Sequence, residues 1–180
     1  VNLGLSFGAG QGKLAFMMGM PFQVREFKGK MQYLPGPEAT AIFELYHKKL
    51  PAVKEFMKRA ENVAKETGYV KTQIGRRLRF PHGQGAHKAA GLLYQAYAAD
   101  LHKAGLVLTD RAIRAGNLPA RLMLSVHDEI GVSMPRDDSV RDEIVRQYTY
   151  FNADDSPIKM RVPIAASADY GVNWYEASKN

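Results

Sequence analysis

The chain has 180 residues, of which 46% are hydrophobic and none is cysteine; this supports a buried core and excludes disulfides and thiolate metal sites. It has no run of about 18 apolar residues, which excludes a membrane-spanning helix, and its first residues lack the basic region of a signal peptide. The net charge of +7 is unevenly spread, with 19 Lys+Arg against 8 Asp+Glu in residues 1–126 and 6 against 10 in residues 127–180.

Residues 1–7 are apolar and glycine-spaced, and Gly8-Ala9-Gly10-Gln11-Gly12 breaks the chain before a short helix expected over 13–18. Ile42, Leu45 and Tyr46 recur at helical spacing and predict a second helix over 37–49. Residues 52–67 carry the clearest amphipathic pattern, with Val53, Phe56, Met57, Ala60, Val63 and Ala64 on one face and Gly68 as the stop. A hairpin is predicted from 69–73 and 78–80, turning at Ile74-Gly75-Arg76-Arg77. It lies within the densest basic stretch, residues 48–88, which holds 11 basic side chains and 3 acids. A long helix follows over 86–115, with Leu101, Ala104, Gly105, Leu108 and Ala112 as its core stripe.

Next, two strand-like runs, Leu122-Met123-Leu124-Ser125-Val126 and Ile130-Gly131-Val132-Ser133-Met134, flank His127-Asp128-Glu129, and Pro135 closes the second. This reads as a β-hairpin whose tight turn carries the acids. Asp137 or Asp138 can cap a further helix running to about Phe151, with Val140, Ile144, Tyr148 and Phe151 inward. A final strand is expected over 159–164, ahead of an irregular tail. The class is therefore α+β. The sheet is too small for a self-contained nucleotide-binding domain, so its completion by chain from elsewhere is expected.

Adjacent carboxylates at a rigid turn repel unless a cation lies between them. Magnesium takes one or two protein carboxylates and leaves its other positions to water and phosphate oxygens. Taken alone, an Asp-Glu pair at a turn reads as a solvated turn. Here the surrounding residues decide. Val126-His127-Asp128-Glu129 resembles motif C of the family-A DNA polymerases, the DNA polymerase I type, and the likeness runs along nearly the whole chain. It implies that Asp128 ligates two Mg2+ ions jointly with an aspartate of motif A, which would lie upstream of this chain. It also implies that Glu129 is a secondary metal participant and that His127 contacts the primer end.

Val1-Asn2-Leu3-Gly4-Leu5-Ser6-Phe7-Gly8 resembles the second half of motif B, on the fingers helix that closes over the incoming nucleotide. The triphosphate lysine and arginine of that motif would precede Val1. Leu3 stands where the family usually has Phe or Tyr beside the sugar, and Phe7 stands near the templating base. Leu3 therefore bears on how sugars lacking a 3′-hydroxyl are excluded. Thr67-Gly68-Tyr69-Val70-Lys71-Thr72-Gln73-Ile74-Gly75-Arg76-Arg77 is similar to the family's Gly-Tyr-Val-x-Thr-x-x-Gly-Arg-Arg, which implies DNA contact by Arg76 and Arg77; a guanidinium fork suits phosphate oxygens. His87-Lys88-Ala89-Ala90-Gly91-Leu92-Leu93-Tyr94-Gln95 resembles the phage replicative branch. It implies DNA contacts from His87, Lys88 and Gln95, with residues 87, 91 and 95 on one helical face toward the minor groove and Gly91 replacing an asparagine. Tyr170-Gly171-Val172-Asn173-Trp174 resembles the family's ending, with Trp174 expected to seal the palm.

The resemblance implies part of a right-hand polymerase, most like the phage or viral branch. Residues 1–85 would be a fingers segment with the basic hairpin, and residues 86–180 a palm segment. The implied activity is template-directed addition of deoxynucleotides to a primer 3′-hydroxyl by a two-metal mechanism, with this chain inactive on its own. The implied partners are primer-template DNA, deoxynucleoside triphosphates and the N-terminal remainder of the polymerase, with no membrane, in the cytoplasm of a cell or of a viral host. Two rivals remain open. A non-catalytic DNA-binding fragment would use the basic stretch and Gln95 equally well but gives no reason for His127-Asp128-Glu129. A metal-dependent nuclease would need further converging ligands, and His47, His82 and His102 show no ligand spacing.

Overall fold

A computed structural model describes residues 2–152, 156, 158 and 160–177, and only the backbone of Asn2, Leu3 and Asn152. The chain forms two compact units, Val1–Tyr97 and Ala98–Asn180. Their division falls within the long helix.

The first unit begins with two short helices, α1 (Asn2–Ser6) and α2 (Gln11–Met17), followed by the antiparallel pair β1 (Phe22–Phe27) and β2 (Lys30–Pro35). The sequence reading did not anticipate this hairpin. Lys28 and Gly29 turn it with φ of 51° and 71°, the two left-handed residues of a turn whose twist matches paired strands. Tyr33 stacks against Phe16 and Phe22 at ring-centre distances of 5.1 and 5.3 Å. Gly12 of α2 lies so close beneath it that a Cβ there would sit 1.8 Å from the Tyr33 carbonyl oxygen.

Two helices follow, α3 (Pro37–Lys49) and α4 (Pro51–Thr67), each opening on a proline, where a missing N–H costs no hydrogen bond. Pro51 also ends α3, because the residue before a proline is driven out of the helical region; Leu50 has φ −126° and ψ 64°. Gly68 closes α4 at φ 75° and returns its N–H to Ala64. The expected face of α4 is largely the buried one. Ala60 and Ala64 join Val70, Phe80, Ala86, Ala89 and Ala90 in a core ringed by Phe56, Met57, Leu78 and Leu93, whereas Val63 is exposed. The basic hairpin, β3 (Tyr69–Lys71) and β4 (Arg77–Arg79), is anchored to this core by Val70 and Leu78. Short 3-10 turns at Pro81–Gly83 and Ala86–Lys88 lead into α5 (Ala89–Arg114).

The second unit contains the rest of α5, the hairpin β5 (Arg121–Val126) and β6 (Glu129–Ser133), helix α6 (Asp138–Tyr148), a 3-10 turn at Tyr150–Asn152 and the short α7 (Trp174–Ala177). Asp137 caps α6 by accepting the Ser139 N–H at 2.8 Å. The core joins Ala112 and Leu118 to Val140 and Ile144, with Ile130 and Val132 of β6 packed against them. The α5 stripe is more polar than expected. Within this unit Asp100, Gly105, Thr109 and Ala112 are its buried positions, and Leu101, Ala104 and Leu108 are half-buried. Thr109 satisfies its hydroxyl by donating to the Gly105 carbonyl at 3.0 Å.

Two expectations are corrected. Residues 160–164 form no strand; Pro163 has no N–H to give a ladder, and the three sheets among the described residues are isolated pairs. Residue 159 lies outside the described residues. Trp174 does not seal a core, because it sits on a four-residue helix and is 55% exposed. The α+β class stands, with helices around small antiparallel sheets.

Candidate catalytic hairpin and nucleic-acid interface

The β5–β6 hairpin closes on the pair Val126↔Glu129, leaving His127 and Asp128 as a two-residue turn. Turning in two residues forces His127 to φ 52°. Histidine tolerates the left-handed region better than most side chains, yet such a residue persists only where its surroundings over-determine it, and such residues cluster at functional sites. His127, Asp128 and Glu129 are all exposed. Among the described residues neither carboxylate forms an ion pair, whereas Glu61, Asp110, Asp138, Asp142 and Glu143 each do. Adjacent hard oxygen donors, open to solvent and unneutralised, fit a magnesium ion that keeps positions for other ligands. No group of three or more His, Asp or Glu side chains that could hold a metal ion occurs among the described residues.

Behind the turn lies a polar chain that sequence reading missed. Tyr148, at the end of α6, donates its hydroxyl to the Asp128 carbonyl at 3.1 Å. His102 of α5 stands with Nδ1 2.6 Å from the Tyr148 hydroxyl and Nε2 2.8 Å from Ser125 Oγ on β5. Burial, and secondarily the Asp128 carboxylate, push the Tyr148 phenol above its ordinary value, so it remains a donor at neutral pH. Gly105, one turn beyond His102, makes the approach possible, since a Cβ there would lie 2.6 Å from the Tyr148 carbonyl oxygen. These contacts join residues 46 and 23 positions apart, and local patterning carries no signal of them.

In the first unit, the register of the basic hairpin pairs Tyr69↔Arg79 and Lys71↔Arg77. Alternation sends Val70 and Leu78 inward and Tyr69, Lys71, Arg77 and Arg79 to the other face. Arg77 lies over the Tyr69 ring, 4.9 Å from its centre. Lys71, Arg77 and Arg79 have no acidic partner among the described residues. Arg76 is exposed in the connecting loop, its N–H bonded to Thr72 Oγ1; Arg77 is already in β4 rather than in the turn.

Residues 87, 91 and 95, expected on one helical face, differ in exposure. His87 and Lys88 are exposed and belong to the 3-10 turn ahead of α5. Gln95 is exposed on α5. Gly91 is buried, and a Cβ there would sit 3.0 Å from the Phe7 carbonyl oxygen and 3.4 Å from its ring. Glycine at 91 therefore admits the end of α1. Phe7 is half-buried, edge-on to Tyr94 at 5.8 Å. The side chain of Leu3 lies outside the described residues, although its backbone is in α1.

The family model described as DNA polymerase family A matches residues 1–176. The chain is 34% identical to "DNA polymerase DpoZ" of Salmonella phage PMBT28, covering 99% of this chain and 29% of that protein. It is 30% identical to DNA polymerase I of Streptococcus pneumoniae serotype 4, covering 78% of this chain and 16% of that protein. In three dimensions it is similar to the POL domain of Pol1 from M. smegmatis, solved in complex with DNA primer-template and dNTP. The TM-score is 0.78 at 22% identity, over 98% of this chain and 30% of that one, a likeness of fold. The chain thus spans under a third of the length of these relatives. Its motifs stand in family order from α1 to α7, and the matching region covers nearly all of it: the chain belongs to DNA polymerase family A.

Proposed function

We propose that this chain supplies the end of the fingers and the catalytic palm hairpin of a template-directed DNA polymerase. The observation that carries the reading is the exposed, unpaired Asp128-Glu129 at a strained hairpin turn, in a chain of this family. Asp128 would hold magnesium directly, Glu129 would serve as a secondary ligand, and an aspartate outside this chain would complete the set. Bound there, two magnesium ions stabilise the attacking and leaving oxygens of nucleotidyl transfer. His127, exposed beside Asp128, would touch the primer end. In this reading Leu3 holds the position beside the nucleotide sugar and Phe7 the position beside the templating base. Arg76, Arg77 and Lys88 would hold the phosphate backbone, which gives grip without sequence preference, and His87 would add a further DNA contact. Gln95 offers a donor to minor-groove acceptors, which all base pairs present at similar places.

The Met123 and Val107 side chains, 60% and 47% exposed, leave an apolar groove beside β5, which supports a palm sheet completed by the remainder of the polymerase. Primer-template, deoxynucleoside triphosphates and a cytoplasmic site of action follow from the same reading. Among the described residues no helix is long and apolar enough to cross a membrane.

Primer extension by the complete polymerase carrying this chain tests the proposal. Asp128→Asn keeps the side chain's size and removes its charge, so turnover falls by roughly a thousand-fold or more while primer-template affinity holds. Glu129→Gln has a milder effect. Near-normal extension by Asp128→Asn would refute the assignment. Tight primer-template binding by a parent enzyme that never extends would favour a DNA-binding fragment instead.

A further inference from the structure

The Asp128 turn has a support of its own. Asp128 has one side chain for a metal and one carbonyl for the protein, and Tyr148 occupies that carbonyl at 3.1 Å. The polarity of the chain behind it follows from proton counting. The Asp128 carbonyl only accepts, so the one Tyr148 proton is committed to it. His102 Nδ1, at 2.6 Å, must then carry a hydrogen and donate to the phenol oxygen. With the ring neutral, Nε2 accepts from the Ser125 hydroxyl at 2.8 Å. Each donor is used once, and the chain ends on the backbone of the turn whose first residue is held at φ 52°.

We infer that His102 and Tyr148 are positioning residues for Asp128: they fix the peptide plane that follows it and so aim its carboxylate, with Ser125 holding the far side of the His102 ring. The inference rests on the polymerase reading of Asp128. Tyr148 and His102 touch neither substrate nor metal in it; they act through the Asp128 main chain. Groups that orient a metal ligand from behind typically change metal affinity or activity by about 10–100-fold when removed. Without the phenol, the strained turn loses its one side-chain tether among the described residues.

The test uses the complete polymerase, with Mn2+ binding read by electron paramagnetic resonance and exchange of the 127–130 amides read without metal. Tyr148→Phe keeps the ring and removes the donor. It should raise the Mn2+ midpoint about tenfold and lower kcat by a similar factor, speed exchange at the turn, and leave the primer-template Kd unchanged. Asparagine at 102 can place an amide N–H where Nδ1–H stands, so His102→Asn should lie nearer the parent than His102→Leu. An unchanged Mn2+ midpoint and unchanged turn exchange in Tyr148→Phe would overturn the inference. If Tyr148→Phe fails to fold, equal midpoints for His102→Asn and His102→Leu would overturn it instead. Asp128→Asn separates the two claims. If it abolishes extension while Tyr148→Phe does nothing, only the positioning role falls; if it extends normally, the polymerase reading of Asp128 falls first.

Discussion

Gly105→Ala sets two effects of opposite sign against each other. In an open helix interior the change stabilises by about 1 kcal/mol, because alanine has less backbone freedom to lose. At Gly105 the new Cβ would stand 2.6 Å from the Tyr148 carbonyl oxygen, 2.9 Å from Cδ2 and 3.1 Å from Cε2. None of these atoms is a flexible tip. One is backbone, and two belong to a ring whose hydroxyl is bonded to His102 and Asp128. Restoring ordinary contact near 3.5 Å requires the end of α6 to retreat by about 0.9 Å. That retreat loosens the packing of Val140 and Ile144 against Ala112 and stretches the His102–Tyr148 bond. Overpacking costs about 1–3 kcal/mol, the weakened hydrogen bond about 1, and the helix gain returns about 1. The net is destabilisation by about 1–3 kcal/mol. Amide exchange in α6 and β6 of the complete polymerase should accelerate roughly ten- to a hundredfold, while Lys103→Ala, exposed on the same helix, should change little. Slower exchange in Gly105→Ala would mean that helix propensity wins and that α5 is not seated against Tyr148 as described.

Gly12→Ala should be costlier still, because its Cβ would fall 1.8 Å from the Tyr33 carbonyl oxygen and 2.9 Å from Tyr33 Cβ; limited proteolysis should cut the β1–β2 hairpin of that variant well before the parent's. The α6 cap should weaken in acid. Hydrogen bonds from the Ser139 hydroxyl and N–H hold the Asp137 carboxyl below its ordinary value, so its contribution is complete above that ordinary value and disappears as pH falls through the depressed one. Asp137→Asn should keep a cap while flattening this dependence, as read by exchange of the first-turn amides of α6 across an acid series. Arg77→Ala should lower primer-template affinity about equally on unrelated duplexes and reduce the magnitude of the salt slope by about one unit, as measured by fluorescence anisotropy; a loss confined to one sequence would contradict phosphate contact.

Features with a local cause were legible in the sequence. Helix α4 runs from a proline at its first position to a left-handed glycine, with Ala60 and Ala64 on its inner face, and each of these signals lies within a few residues of its effect. The β5–β6 hairpin was legible for the same reason, as two apolar runs around three polar residues. The β1–β2 hairpin was not. Its strands are exposed at nearly every position, so no alternation of burial marks them, and only the turn geometry at Lys28-Gly29 gives them away. Gly91 reads in sequence as a lost side-chain contact, whereas the structure uses it to admit the Phe7 backbone. His102, Ser125 and Tyr148 lie on three elements, and their meeting depends on how α5, β5 and α6 pack. Their role could not be read until that packing was known.

The two charged surfaces share one physical property. On the basic hairpin, Lys71 and Arg77 are direct cross-strand partners, and like charges so placed destabilise a strand pair. On the β5–β6 hairpin, Asp128 and Glu129 are neighbours with no basic partner among the described residues. Neither arrangement helps the chain fold, and hydrophobic contacts bear that load in both places: Val70 and Leu78 under the first hairpin, Ile130 and Val132 under the second. In the proposed reading both arrangements would become favourable on arrival of a species of opposite charge, a polyanion at one and a divalent cation at the other. A solvated surface has no need to hold its charges against rigid strands, where repulsion cannot relax by side-chain drift. Charge left uncompensated on a rigid frame is what a ligand-binding surface requires, and the chain presents it with both signs.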